Sequence, residues 1–90
     1  MKNIASLGQL IRARRKELGL TTEDLSKKVA INRSYISKIE RQNYLPSTKV
    51  LIKIVTNLKD NPNKYLKCYE RQKFGRALKA WKEEIRHIDQ

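Results

Sequence analysis

Apolar residues recur along the chain at steps of three and four, and nowhere do they alternate with period two for long enough to form a strand. Between Ser6 and Gly19, the positions Leu7, Leu10, Ile11, Arg14 and Leu18 follow helical spacing. Ser6 and Gln9 have the spacing of a capping box, and Gly19 suits the left-handed residue that ends a helix. A second, short helix is predicted from Thr21 or Thr22, where Thr21 and Asp24 have N-cap spacing, with Leu25 and Val29 on its buried side. Ala30-Ile31-Asn32 reads as a turn. Asn32 is a good N-cap for a third helix, Arg33 to Arg41, with Ile36 and Ile39 inward. Gln42 to Pro46 is a polar loop, and Ser47 caps a fourth helix in which Val50, Leu51, Ile54, Val55 and Leu58 are periodic. Asn61-Pro62 sets a cap before a proline at the first helical position and opens a fifth helix. From there to Gln90 only Gly75 could interrupt it. The expected fold is all-α, with five or six helices and no internal repeat.

Two short helices joined by a three- or four-residue turn can be an ordinary αα corner. Here the apolar set Leu25, Val29, Ile31, Ile36 and Ile39 would hold the pair at a steep angle on a shared core. The outward face of the later helix is then Arg33, Ser34, Ser37, Lys38 and Arg41, one stripe of a helix. All five are polar and none is acidic. A helix that enters the major groove needs such a face, because it must offer donors to base edges and keep carboxylates away from phosphates.

The charge balance strengthens that picture. Lys and Arg number 21 against 9 Asp and Glu, a formal net charge of +12 on 90 residues. Nucleic acid is the usual polyanionic partner of a basic domain. Charge alone would also fit an anionic membrane or ribosomal RNA. No apolar stretch is long enough for a signal peptide or a membrane span, so the expected location is the cytoplasm. Cys68 is single and reads as a partly buried free thiol. His87 is the only histidine, without a Cys or carboxylate cluster around it in sequence, and no phosphate-binding loop or nucleophile motif is present. No catalytic residue, metal or cofactor is expected, and an enzyme is the least favoured class.

The stretch from Leu7 to about Leu58 resembles the helix-turn-helix of the lambda-repressor and Cro type, the XRE family. The resemblance rests on Leu7-Gly8-Gln9-Leu10-Ile11-Arg12, Arg15, Leu18-Gly19-Leu20-Thr21, Glu23 and Leu25. It continues through Arg33-Ser34-Tyr35-Ile36-Ser37-Lys38-Ile39-Glu40-Arg41 and Pro46-Ser47 before a periodic apolar helix. It departs from the family at Ala30, where a turn Gly is usual, at Ser26 in place of Ala, and at Thr22 in place of Gln. A left-handed conformation at Ala30 would cost roughly 1–2 kcal/mol. The resemblance implies that Arg33, Ser34, Ser37 and Lys38 face bases and that Thr22, Asn32, Arg41 and Asn43 face phosphates. It also implies that Arg15 and Glu40 form an internal ion pair. Arg33 is the first choice for a base, since its fork can meet guanine with two hydrogen bonds. Lys38 fits a base or a phosphate, and Tyr35 fits core-edge packing or a phosphate. For Arg12, Arg14 and Lys16 solvation is expected.

These readings divide the chain into a helix-turn-helix domain, residues 1–61, and a C-terminal helical extension, residues 62–90. Tyr65, Leu66 and Tyr69 form a short apolar patch that could close the five-helix domain. Phe74, Leu78, Trp81, Ile85 and Ile88 then recur at heptad spacing over about two heptads, fewer than an independent coiled coil needs. That face suits a homodimer that also buries part of the first domain, such as Tyr65 and Leu66. The alternatives are a helix folded back on its own domain and a docking site for a second protein. The leading function is a sequence-specific transcriptional regulator, a repressor from a bacterium, phage or mobile element, acting on double-stranded DNA. The alternative is an antitoxin-type interaction protein that binds a partner protein and its own promoter. A third reading is a general nucleic-acid-binding module.

Overall fold

Each of the five helices begins at a side chain that accepts a hydrogen bond from one of the helix's free amides. In a computed structural model, which describes the backbone of residues 5–88 and the side chains of residues 5–85, the order is α1 Leu7–Glu17, α2 Thr22–Val29, α3 Arg33–Gln42, α4 Thr48–Leu58 and α5 Pro62–Ile88. Ser6 with Gln9 and Thr21 with Asp24 make reciprocal capping boxes. Ser47 Oγ accepts from the Val50 amide, and Asn32 and Asn61 accept from the amides of Ser34 and Asn63. The bonds to Asp24 hold its carboxyl below the usual range, the backbone amide of Thr21 first.

The turns after the first four helices all pass through a left-handed residue: Gly19, Ala30, Asn43 and Lys59, with φ of 71°, 56°, 54° and 52°. Ala30 is therefore left-handed, as the family's glycine would be. Ser26, another departure, sits beneath it. The Ser26 carbonyl accepts from the amides of Ala30 and Ile31, and its hydroxyl donates to the Ile31 carbonyl. That extra bond ties down a turn whose alanine is strained.

The core is a single cluster: Leu7 and Ile11 of α1, Leu25 and Val29 of α2, Ile36 and Ile39 of α3, Leu51, Ile54, Val55 and Leu58 of α4, and Tyr65, Cys68 and Tyr69 of α5. Leu10 and Val50 lie at its edge and Leu18 is exposed, so the stripe of α1 is narrower than its spacing suggests. Gly8 sets how closely α1 approaches α3. A Cβ there would lie 2.9 Å from Glu40 Cα and closer still to the Ile39 carbonyl oxygen.

The buried set does not stop at Asn61. The first three turns of α5 complete the core. Gln72 Oε1 accepts from the Leu7 amide at 2.6 Å, Cys68 Sγ lies 3.1 Å from the Ala5 carbonyl oxygen, and Tyr69 Oη donates to the Pro46 carbonyl at 2.7 Å. Tyr65 is fully buried in its own chain and so unavailable to a dimer partner, while Leu66 stays exposed. Burial pushes the Cys68 thiol above its ordinary pKa, which makes it a poor nucleophile.

Beyond Gln72 the helix continues through Gly75 without a break. At 100° per residue, Phe74, Leu78, Trp81 and Ile85 fall within an arc of about 60°, opposite the side that carries Tyr65, Cys68, Tyr69 and Gln72. Phe74 and Trp81 are 67% and 59% exposed, and Leu78 and Ile85 are half-buried. Among the described residues beyond Gln72, the apolar stripe of α5 therefore turns away from the core instead of folding back on it. The side chains of His87 and Ile88 lie outside the described residues.

Candidate nucleic-acid interface

The outer face of α3 and the N-terminal turn of α2 enclose an open groove of about 640 Å³. Thr21, Thr22, Glu23, Arg33, Ser34, Ser37, Lys38, Arg41 and Gln42 line it. It exists because Ile36 and Ile39 face the core and turn the intervening residues outward at helical spacing. Arg33, Ser34, Lys38 and Arg41 are exposed and Ser37 is half-buried. The groove thus brings together all four residues expected at bases and two of those expected at phosphates, Thr22 and Arg41.

The other two phosphate candidates bracket α3. Asn32 is its N-cap, with Oδ1 engaged at 2.7 Å by the Ser34 amide, which leaves the side-chain amide group free to donate. Asn43 is its left-handed C-cap. Its amide donates to the Lys38 carbonyl, and its own carbonyl accepts from Arg76 Nη2 at 2.6 Å. A shallower concavity beside the N-terminus of α3 is lined by Asn32, Ser34, Tyr35, Lys38 and Tyr44. Tyr35 packs edge-on against Tyr44, with ring centroids 5.4 Å apart, and belongs to the rim of the core. Burial, then the bond to Tyr44, raises its phenol above the ordinary value.

Helix α3 is anchored from behind. Arg15 Nε and Nη2 donate to Glu40 Oε2 and Oε1, both at 2.8 Å, and Arg15 Nη1 donates to the Leu20 carbonyl at 2.8 Å. Both side chains are buried, and the Glu40 carboxylate raises the Arg15 pKa further. Among the described residues no buried side-chain nitrogen or oxygen lacks a partner. The angle at which α3 leaves the core is thereby fixed by a bidentate pair rather than by apolar contacts alone.

Three residues have roles that the sequence reading did not assign. Glu23, from the first turn of α2, puts a carboxylate in the groove although the stripe on α3 contains none. It faces Lys27 at 3.7 Å. Arg14, expected to be solvated, instead holds the end of α4, donating to the carbonyls of Leu58 and Lys59 at 2.9 Å each, and bonds Glu17. Arg76 reaches from α5 to the end of α3. Only tertiary structure reveals these roles, because the carbonyls that Arg14 and Arg76 reach and the α3 face beside Glu23 belong to other elements. Among the described residues no cluster of His, Cys, Asp or Glu could hold a metal, and no helix is long and apolar enough to cross a membrane.

This arrangement recurs in known proteins. A family model for a helix-turn-helix domain matches residues 8–71. The ImmF control region 10 kDa protein of Bacillus phage phi105 is 46% identical over 48 residues, covering 53% of each chain. The present chain therefore spans about half the length of that relative. The crystal structure of SinR of Bacillus subtilis in complex with DNA superposes with a TM-score of 0.62 at 34% identity, over 67% of this chain and 97% of that one. The P22 c2 repressor bound to a synthetic operator superposes with a TM-score of 0.66 at 32% identity, over 72% of this chain and 98% of that one. The family match takes in both helices of the motif, the Arg15–Glu40 anchor and the inner turns of α5, so the chain belongs to the helix-turn-helix family of the lambda-repressor and Cro type, a family of DNA-binding transcriptional regulators.

Proposed function

We propose that this protein is a sequence-specific repressor that inserts α3 into the major groove of an operator and acts by occupancy, with no chemistry of its own. The observation that carries the proposal is the groove between α2 and α3. It gathers Arg33, Ser34, Ser37, Lys38 and Arg41 on one exposed face, backed by a buried ion pair that holds the helix rigidly. In this reading Arg33, Ser34, Ser37 and Lys38 meet base edges, while Thr22, Asn32, Arg41 and Asn43 meet phosphates. The repressor works in the cytoplasm of a bacterium, on a phage or other mobile element's operator, as the phage relative suggests.

The repressor is a homodimer. One recognition helix covers only a few base pairs, and two copies place theirs in successive turns of the same groove. The apolar stripe of Phe74, Leu78, Trp81 and Ile85 supports this: the large Phe74 and Trp81 side chains stand exposed beside half-buried Leu78 and Ile85, on a helix that leaves the domain. The functional division then falls near Gln72, between a DNA-binding unit that includes the inner turns of α5 and a distal association helix.

Selection of bound duplexes from a random DNA library tests the function. A palindromic consensus with half-sites about one helical turn apart is expected; recovery of unrelated sequences would reduce the protein to a general nucleic-acid binder. Sedimentation of a Phe74→Glu/Trp81→Glu variant tests the dimer. Wild type should be dimeric and the variant monomeric with its helicity intact.

A further inference from the structure

We infer that Arg76, on α5, is a DNA-contact residue that binds a phosphate at the C-terminal end of the reading helix, an inference that rests on the major-groove reading of α3. The observation is a contrast between two arginines built alike. Arg14 and Arg76 each reach from another helix to the carbonyls at the end of a helix: Arg14 to Leu58 and Lys59 after α4, Arg76 to Asn43 after α3. The guanidinium complements the negative end of a helix dipole in both places. Arg14, however, is neutralised, with Glu17 at 3.1 Å and Asp60 at 3.9 Å.

Arg76 has no carboxylate partner among the described residues. Its neighbours one turn away on α5 are Gln72, Lys73, Lys79 and Ala80, so the cations around it add to its charge. A structural cap has no need of an uncompensated charge; a phosphate-binding residue does.

The remaining geometry agrees. Guanidinium carries five donors, and Arg76 spends one, on Nη2, to hold the Asn43 carbonyl at 2.6 Å. The others have no acceptor among the described residues, and the side chain is exposed. Asn43 immediately follows Arg41 and Gln42, which line the reading groove. Tethering one arm of the fork orders the long side chain before DNA arrives, which lowers the entropy cost of a phosphate contact. Tyr69 Oη, bonded to the Pro46 carbonyl, steadies the same α3–α4 loop from the same side of α5.

The test is the salt dependence of binding to a mixed-sequence DNA duplex, which does not require the operator to be known. Arg76→Gln keeps a polar side chain with an amide donor and removes the charge; Arg76→Lys keeps the charge. Each phosphate contact contributes about 0.9 to the slope of log K against log salt. Arg76→Gln should lower that slope by about 0.9 per bound protomer, so that between about 50 and 200 mM salt the loss of affinity becomes about 3.5-fold smaller per protomer. Arg76→Lys should hold the wild-type slope. If Arg76→Gln leaves the slope unchanged while Arg41→Ala lowers it, Arg76 is a helix cap only and the inference is overturned. If Arg41→Ala also leaves it unchanged, the reading of the groove fails together with the inference.

Discussion

Arg15 and Glu40 meet fork to fork across the α1–α3 contact, with two hydrogen bonds of 2.8 Å, and a third donor of Arg15 closes on the Leu20 carbonyl. The pair fixes α3, the helix proposed to read DNA, to α1. Removing one partner leaves a buried charge unmatched, which costs about 3–5 kcal/mol. Arg15→Met should lower stability by that order in chemical denaturation. A double-mutant cycle with Glu40→Gln should give a coupling of at least about 1 kcal/mol. Additive effects would mean the two residues do not meet in solution.

The same contact depends on Gly8. Alanine there is the better helix former by about 1 kcal/mol, yet its methyl would strike the backbone at Ile39 and Glu40. Clash against backbone outweighs propensity, so Gly8→Ala should destabilise by about 1–3 kcal/mol, read as a lower melting temperature. It should also weaken DNA binding in the folded fraction, because α3 must shift. A neutral or stabilising change would show that the helices can separate at little cost.

Ala30 gives the opposite sign. Its φ of 56° strains an alanine but not a glycine. Ala30→Gly relieves about 1–2 kcal/mol and loses about 0.4–1 kcal/mol to the freer unfolded chain. A net gain of roughly 0.5–1 kcal/mol in thermal unfolding is expected, with DNA affinity unchanged. A lower melting temperature would place the turn in another conformation.

Acid stability should depend on Asp60. Lys64 Nζ at 2.7 Å, then Tyr65 Oη at 2.8 Å and the Asn61 amide, hold its carboxyl well below the ordinary carboxylate range. A depressed carboxyl stabilises the fold above its unfolded pKa, near about 4, and that stabilisation fades as pH falls toward the folded value. Wild type should therefore lose stability below about pH 4, and Asp60→Asn should flatten this acid limb while lowering stability at neutral pH. Parallel pH profiles would count against the role.

Within the groove, Arg33→Ala should relax preference at one base pair, costing about 1–3 kcal/mol there, and Arg41→Ala should weaken all sequences alike. Glu23 contributes the groove's carboxylate, which repels phosphate and can accept from a cytosine amino group. Glu23→Gln should tighten binding to mixed-sequence DNA and narrow the gap between operator and non-operator affinity in a fluorescence titration. Unchanged affinities on both duplexes would put Glu23 outside the contact.

Much of this protein is written in local chemistry. Caps at Ser6, Thr21, Asn32, Ser47 and Asn61 mark helix starts because they satisfy amides three or fewer residues away, and the three-and-four spacing of Leu25, Val29, Ile36 and Ile39 shows which sides turn inward. The outward face of α3 follows from that inward set by helical geometry alone, so its members were legible as one stripe. The left-handed state of Ala30 was legible only by resemblance, since alanine carries no local signal for it.

Tertiary structure decided what depends on residues far apart in the chain. Gly8 belongs to the family pattern in sequence, but its need for a missing side chain arises only where the α3 backbone comes near. Arg14 and Arg76 look like surface cations until the ends of α4 and α3 are brought within reach of their guanidinium groups. Periodicity on α5 revealed an apolar stripe but not its direction. Burial of Tyr65, Cys68 and Tyr69 on one side of the helix fixes its rotation, and only then does the stripe from Phe74 to Ile85 point away from the core. Helical spacing states which residues share a face; what that face meets is set by long-range packing, which no local pattern records.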